Sequence, residues 1–133
     1  MAHEFPVRVY YEDTDLAGIV YYANYLKFIE RGRSEWIRAL GVDQVALKRE
    51  HGIVFAVRRV EADYLRPAKF DDELAVRTEL VAETGARIVL DQSVTRGGEV
   101  LFTAQVVLVC LSETGAPQRL PAEIRRKLAP AVH

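Results

Sequence analysis

With 133 residues the chain is one ordinary domain, 1–133, with no room for a cofactor lobe beside a substrate lobe. Half of it is apolar and 28% is charged, which suits a compact soluble core and excludes a disordered tail. The 18 Lys and Arg against 19 Asp and Glu leave a formal charge of −1, which argues against a nucleic-acid binder relying on a basic surface. Cys110 has no disulfide partner, the three histidines are scattered, and no apolar run approaches the roughly 18 residues of a membrane span. A reducing, cytoplasmic home is expected, with no transmembrane segment.

Phe5, Val7, Val9 and Tyr11 alternate with more polar neighbours, which predicts a first strand ending near Glu12. Asp13 to Tyr22 fits neither regular period and reads as a loop. From Asn24, the residues Tyr25, Phe28, Ile29, Trp36, Ile37 and Leu40 recur at helical spacing opposite a charged face, predicting one long helix stopped by Gly41. Gly32 falls on its apolar stripe, at a cost of about 1 kcal/mol relative to Ala, where it would let the helix lie close to a sheet. Asp43 reads as the N-cap of a short helix over Gln44 to Glu50, closed by Gly52.

Four strands follow, Val54 to Leu65, Glu73 to Glu83, Arg87 to Thr95 and Glu99 to Leu111, with turns at Pro67, Gly85 and the Gly97–Gly98 pair. A short helix is expected over Pro121 to Leu128. Short turns make the sheet antiparallel, and one long helix can cover only one of its faces, so the sheet wraps the helix. In the last long strand Val100, Phe102, Ala104, Val106, Leu108 and Cys110 face one way. Leu101, Val107, Val109 and Leu111 make the other face apolar too, which points to self-association through sheet faces or edge strands.

The most informative stretch is DTDLAGIVYYANY, Asp13 to Tyr25. Two acids precede a helix start, where unpaired N–H groups and the positive end of the dipole stabilise an oxyanion, so a carbonyl held there could be attacked by a carboxylate or by water it activates. The plain alternative is that Asp and Thr before a helix cap their own turn. Asp15, Gly18, Ile19, Val20, Tyr21 and Tyr25, continuing into Phe28, Glu30 and Arg33 and later Tyr64, Pro67, Ala68, Asp72 and Leu74, closely resemble the signature of the 4-hydroxybenzoyl-CoA thioesterase family. Within it they resemble the Tol-Pal-associated acyl-CoA thioesterase (YbgC-like) branch.

That resemblance, over about Phe5 to Leu111, implies an α+β hot-dog fold: a long central helix wrapped by a curved antiparallel sheet of about five strands. It implies an acyl-CoA thioesterase acting on short- to medium-chain or aromatic acyl groups, without metal or redox cofactor. Asp15 would be nucleophile or general base, the Tyr22 backbone N–H the oxyanion donor, and Tyr11 a further active-site residue. Gly18, Val20, Tyr21 and Tyr25 would line the substrate. Many branch members carry histidine where Tyr22 stands, which leaves the backbone donor but alters the acyl pocket.

The family also implies a homodimer or homotetramer with sites between subunits, acyl-carrier protein as a candidate partner, and a place in the cytoplasm or at the inner-membrane surface. Two other classes compete: a hot-dog hydratase, against which the missing histidine counts, and a non-catalytic acyl-carrier or envelope scaffold. Arg59, Arg66 and Lys69, with Arg58, suit CoA phosphates, but also read as ordinary solvated charges. Glu30 and Arg33 read first as a surface pair, Cys110 and Trp36 as core, His51 as a capping or surface residue, and His3 and His133 as solvated termini.

Overall fold

The computed structural model describes residues 2–131, so His133 lies outside the described residues. The expected order is found: β1 (His3–Arg8), α1 (Asn24–Ala39), α2 (Gln44–His51), β2 (Ile53–Tyr64), β3 (Glu73–Glu83), β4 (Arg87–Arg96) and β5 (Glu99–Ser112). A two-residue β6 (Pro117–Gln118) and α3 (Ala122–Leu128) complete it. All pairings are antiparallel in the order β1-β3-β4-β5-β2, and β6 adds to β5 as a sixth strand. Polar Pro117 and Gln118 carry no apolar period, so this strand arises only from pairing with Cys110 and Leu111.

The helix lies across β1, β3 and β4 and buries Tyr25, Phe28, Ile29, Gly32, Trp36 and Ile37, the expected stripe. Gly32 is there for space: a Cβ at this position would collide with Cγ1 of Val76. The Asp43 carboxylate accepts from the Val45 and Ala46 N–H groups at 3.0 Å and caps α2. At the β4–β5 hairpin, Gly97 and Gly98 both take positive φ, 56° and 87°, as a tight two-residue turn requires.

Two expectations are corrected. The first strand ends at Arg8, because Asp13 folds back to take the Tyr10 N–H at 2.8 Å and winds Tyr11–Asp13 into a 3-10 turn. Leu101 does not face outward with Val107 and Val109: it is fully buried, as is Phe102 beside it, while Val100 is exposed. A register shift between Val94 and Thr95 leaves Leu101 as the extra residue of a bulge on β5, which breaks the period of two. Further shifts at Val57/Arg59 and Leu80/Ala82 add to the bend of the sheet around α1.

Candidate active site

Asp13 to Tyr22 forms a small hairpin that doubles back before α1. Thr14 pairs with Val20, the Asp15 N–H donates to the Ile19 carbonyl at 2.9 Å, and the Gly18 N–H closes the turn on the Asp15 carbonyl at 2.9 Å. Gly18 sits at φ 80°, which a residue with a Cβ reaches only with strain. The Tyr21 N–H and the Asn24 side-chain amide both donate to the Asp13 carbonyl at 2.9 Å and tie the helix start to the first limb.

The turn-capping chemistry is present in both acids. Asp13 is spent on Tyr10, and one oxygen of Asp15 accepts the Ala17 N–H at 2.9 Å. Asp15 is nevertheless exposed, and its second oxygen takes no hydrogen bond among the described residues. At the helix start the Leu26 N–H reaches the Ala23 carbonyl at 3.2 Å and the Asn24 N–H the Tyr21 carbonyl at 2.8 Å. The Tyr22 N–H donates to no acceptor among the described residues. The rim made by the hairpin and the helix start thus carries an exposed carboxylate and, seven residues on, an unclaimed amide.

An aromatic cluster backs this rim. Tyr25 stacks on Phe102 with centroids 5.1 Å apart, and Tyr64 meets Phe102 edge-on at 5.0 Å and Tyr22 at 6.0 Å. The Tyr25 hydroxyl accepts the Ala68 N–H at 3.0 Å, and the Tyr64 hydroxyl donates to the Tyr22 carbonyl at 3.0 Å. Burial pushes both phenols above their ordinary value, so both stay protonated at neutral pH.

The segment between β2 and β3 is the second support, since the Val20 N–H donates to the Ala68 carbonyl at 2.9 Å and Ile19 bridges to Lys69. The segment is held by Asp72, whose Oδ2 accepts the Lys69 N–H and the Arg96 guanidinium, each at 2.8 Å. Burial opposes the Asp72 charge, but the Lys69 N–H and Arg96 outweigh it and hold the carboxyl below its ordinary value. Arg96 also reaches Glu99 at 2.8 Å. The sequence marks Asp72 only as part of a motif and gives Arg96 no signal, because the two meet across a 24-residue separation.

The expected site residues do not all converge. Asp15, Gly18, Val20, Tyr21, Tyr22 and Tyr25 share the hairpin and the helix start, with Val20 and Tyr25 buried and the others more open. Tyr11 is 81% exposed and meets Phe70 edge-on at 6.2 Å. Lys69 lies next to the hairpin, Arg66 pairs with Glu99 at 3.2 Å, and Arg59 pairs with Glu61 on the sheet face turned away from α1.

Arg33 is not in a surface pair with Glu30: it turns inward and donates to Gln92 Oε1 at 3.1 Å, while Gln92 donates to Thr78 Oγ1 and the Ile29 carbonyl, each at 2.9 Å. Burial depresses the Arg33 guanidinium, with Glu30 opposing that shift. His3 is not a freely solvated terminus either: it lies half-buried in β1 opposite Thr78, with Nδ1 buried and unpartnered among the described residues. His51 meets Glu123 at 3.2 Å on the surface, and Cys110 is core, its thiol pushed up to about 11 by burial.

Residues 9–128 match the family model described as the thioesterase-like superfamily. The chain is 42% identical over 123 residues to the acyl-CoA thioesterase YbgC of Haemophilus influenzae, covering 91% of this chain and 90% of that protein. It is 39% identical over 122 residues to the acyl-CoA thioester hydrolase YbgC of Escherichia coli O6:H1, covering 90% of each. A solved probable thioesterase from Bartonella henselae superposes with a TM-score of 0.86 at 40% identity, over 91% of this chain and all of that one. With the wrapped helix and the hairpin at its start, these matches show that the chain belongs to the thioesterase-like superfamily, as a hot-dog domain of its YbgC-like branch.

Proposed function

We propose that the chain is an acyl-CoA thioester hydrolase whose reacting groups are the Asp15 carboxylate and the Tyr22 backbone N–H. The observation that carries the reading is what this short rim holds: an exposed carboxylate in a fixed turn and, seven residues on at the start of a 16-residue helix, an amide with no acceptor among the described residues. The relatives named as acyl-CoA thioesterases supply the substrate class.

The thioester oxygen accepts from the Tyr22 N–H, which gains strength as negative charge develops on that oxygen. Asp15 then attacks the carbonyl carbon, forming an anhydride that water hydrolyses, or takes a proton from the water that attacks. By either route the C–S bond breaks, coenzyme A leaves as thiolate, and the free acid remains. Water balances the reaction, so no redox co-reactant is needed.

Tyr11 and Tyr21 flank the acyl group, which is short to medium in length or aromatic, with Gly18 admitting it closely and Val20 and Tyr25 behind. The tyrosine side chain at position 22 makes one wall of the acyl pocket. Lys69, and Arg66 beyond it, face the CoA phosphates.

The working form is a homodimer, or a tetramer of dimers, joined through β2. This 12-residue strand ends the sheet order, and Val57, Val60 and Tyr64 on its inner face are 47%, 37% and 47% exposed. The test of function is thiol release from a panel of acyl-CoAs: the wild type turns over at least one, and Asp15→Ala loses at least about 10²-fold in kcat. Undiminished turnover by Asp15→Ala refutes the assignment.

A further inference from the structure

The Tyr22 carbonyl opens α1 yet takes none of its N–H groups, since Leu26 donates to Ala23 and Asn24 to Tyr21. The one hydrogen bond it accepts among the described residues comes from the Tyr64 phenol at 3.0 Å, from the last residue of β2, 42 positions along the chain. A trans peptide points its C=O and N–H in opposite directions. The Asn24 bond to the Tyr21 carbonyl therefore aims the Tyr22 N–H, and the Tyr64 bond to the Tyr22 carbonyl aims the Ala23 N–H beside it. Neither N–H has an acceptor among the described residues. A donor on a carbonyl also polarises the N–H of the same peptide.

The Tyr64 ring is accounted for by Phe102, Tyr25 and Tyr22, contacts that phenylalanine would keep. Its hydroxyl is not, because Tyr64 is 47% exposed and water could satisfy it.

We propose that Tyr64 is a positioning residue of the thioester site: its hydroxyl locks the Tyr22–Ala23 peptide so that the amides at the start of α1 stay aimed at the substrate carbonyl. This rests on the reading of Tyr22 as oxyanion donor and adds to it a residue from another element.

Tyr64→Phe removes only the hydroxyl. With the fastest acyl-CoA of the panel, kcat is expected to fall about tenfold, short of the 10²–10³ for deleting an oxyanion donor, while KM stays within twofold. A second readout compares two unreactive CoA analogues, a ketone that keeps the carbonyl and a thioether that lacks it. Tyr64→Phe should weaken the ketone about tenfold and leave the thioether unchanged.

Wild-type kcat, or equal weakening of both analogues, overturns the proposal. Asp15→Asn run in parallel separates the two levels. If it is inactive while Tyr64→Phe runs at the wild-type rate, only the role of Tyr64 falls; if Asp15→Asn is fully active, the reading of the site falls and the role of Tyr64 with it.

Discussion

Asp15 serves its own turn through one carboxylate oxygen and leaves the other open. Asparagine can keep the first role and not the second. Asp15→Asn is therefore expected to unfold at the wild-type temperature while losing thioester hydrolysis, whereas Asp15→Ala also gives up the turn bond, worth about 1 kcal/mol. Calorimetry beside thiol release checks both. The motif containing Asp15 is legible because hairpin, turn glycine and helix start are contiguous in the chain.

Asp72 and Arg96 are the opposite case: nothing near either residue predicts their pairing. The Asp72 carboxyl is depressed in the fold, so its contribution is complete above the ordinary carboxylate range and is lost as pH falls through the lower folded value. Wild-type stability should decline on acidification below about pH 4, where an ordinary aspartate titrates. Asp72→Asn should cost about 1–2 kcal/mol at neutral pH and flatten that part of the decline, measured by urea unfolding across pH.

Among the elements, α1 shows why a local rule can point the wrong way. Alanine at position 32 would gain about 1 kcal/mol of helix propensity over Gly32. Its Cβ would also press on Val76, which is fully buried in a central strand and has no room to yield. Gly32→Ala is expected to destabilise the protein by about 1–2 kcal/mol net, read from the midpoint of denaturant unfolding. The stripe on α1, the caps at Asp43 and Gly52 and the glycine turns were legible because each is set by neighbours within a few residues. The bulge at Leu101 was not: it exists only against β4, and it moves a leucine to the face its parity denies.

The whole molecule has two kinds of edge. β1 is a six-residue strand, while β2 is twice as long and presents Val57, Val60 and Tyr64 half-open on its inner face. A second copy on β2 would cover that face and bring another subunit's surface up to Tyr64 and the rim. Val60→Lys places a charge there and is expected to shift the sedimentation mass to that of a single chain and to lower kcat/KM at least tenfold. A wild type that already sediments as a single chain at micromolar concentration contradicts the assembly.

By itself the sequence determined the order of the main elements, the face α1 buries, the motif carrying Asp15 and the family, because period, capping and motif are local properties. Tertiary structure alone decided that Arg33 turns from Glu30 to Gln92, that His3 lies in the sheet, that Arg59 faces away from α1, and that Tyr64 and Asp72 hold the rim. Each of these depends on strand register and bulges, which bring together residues tens of positions apart and leave no trace in the local pattern.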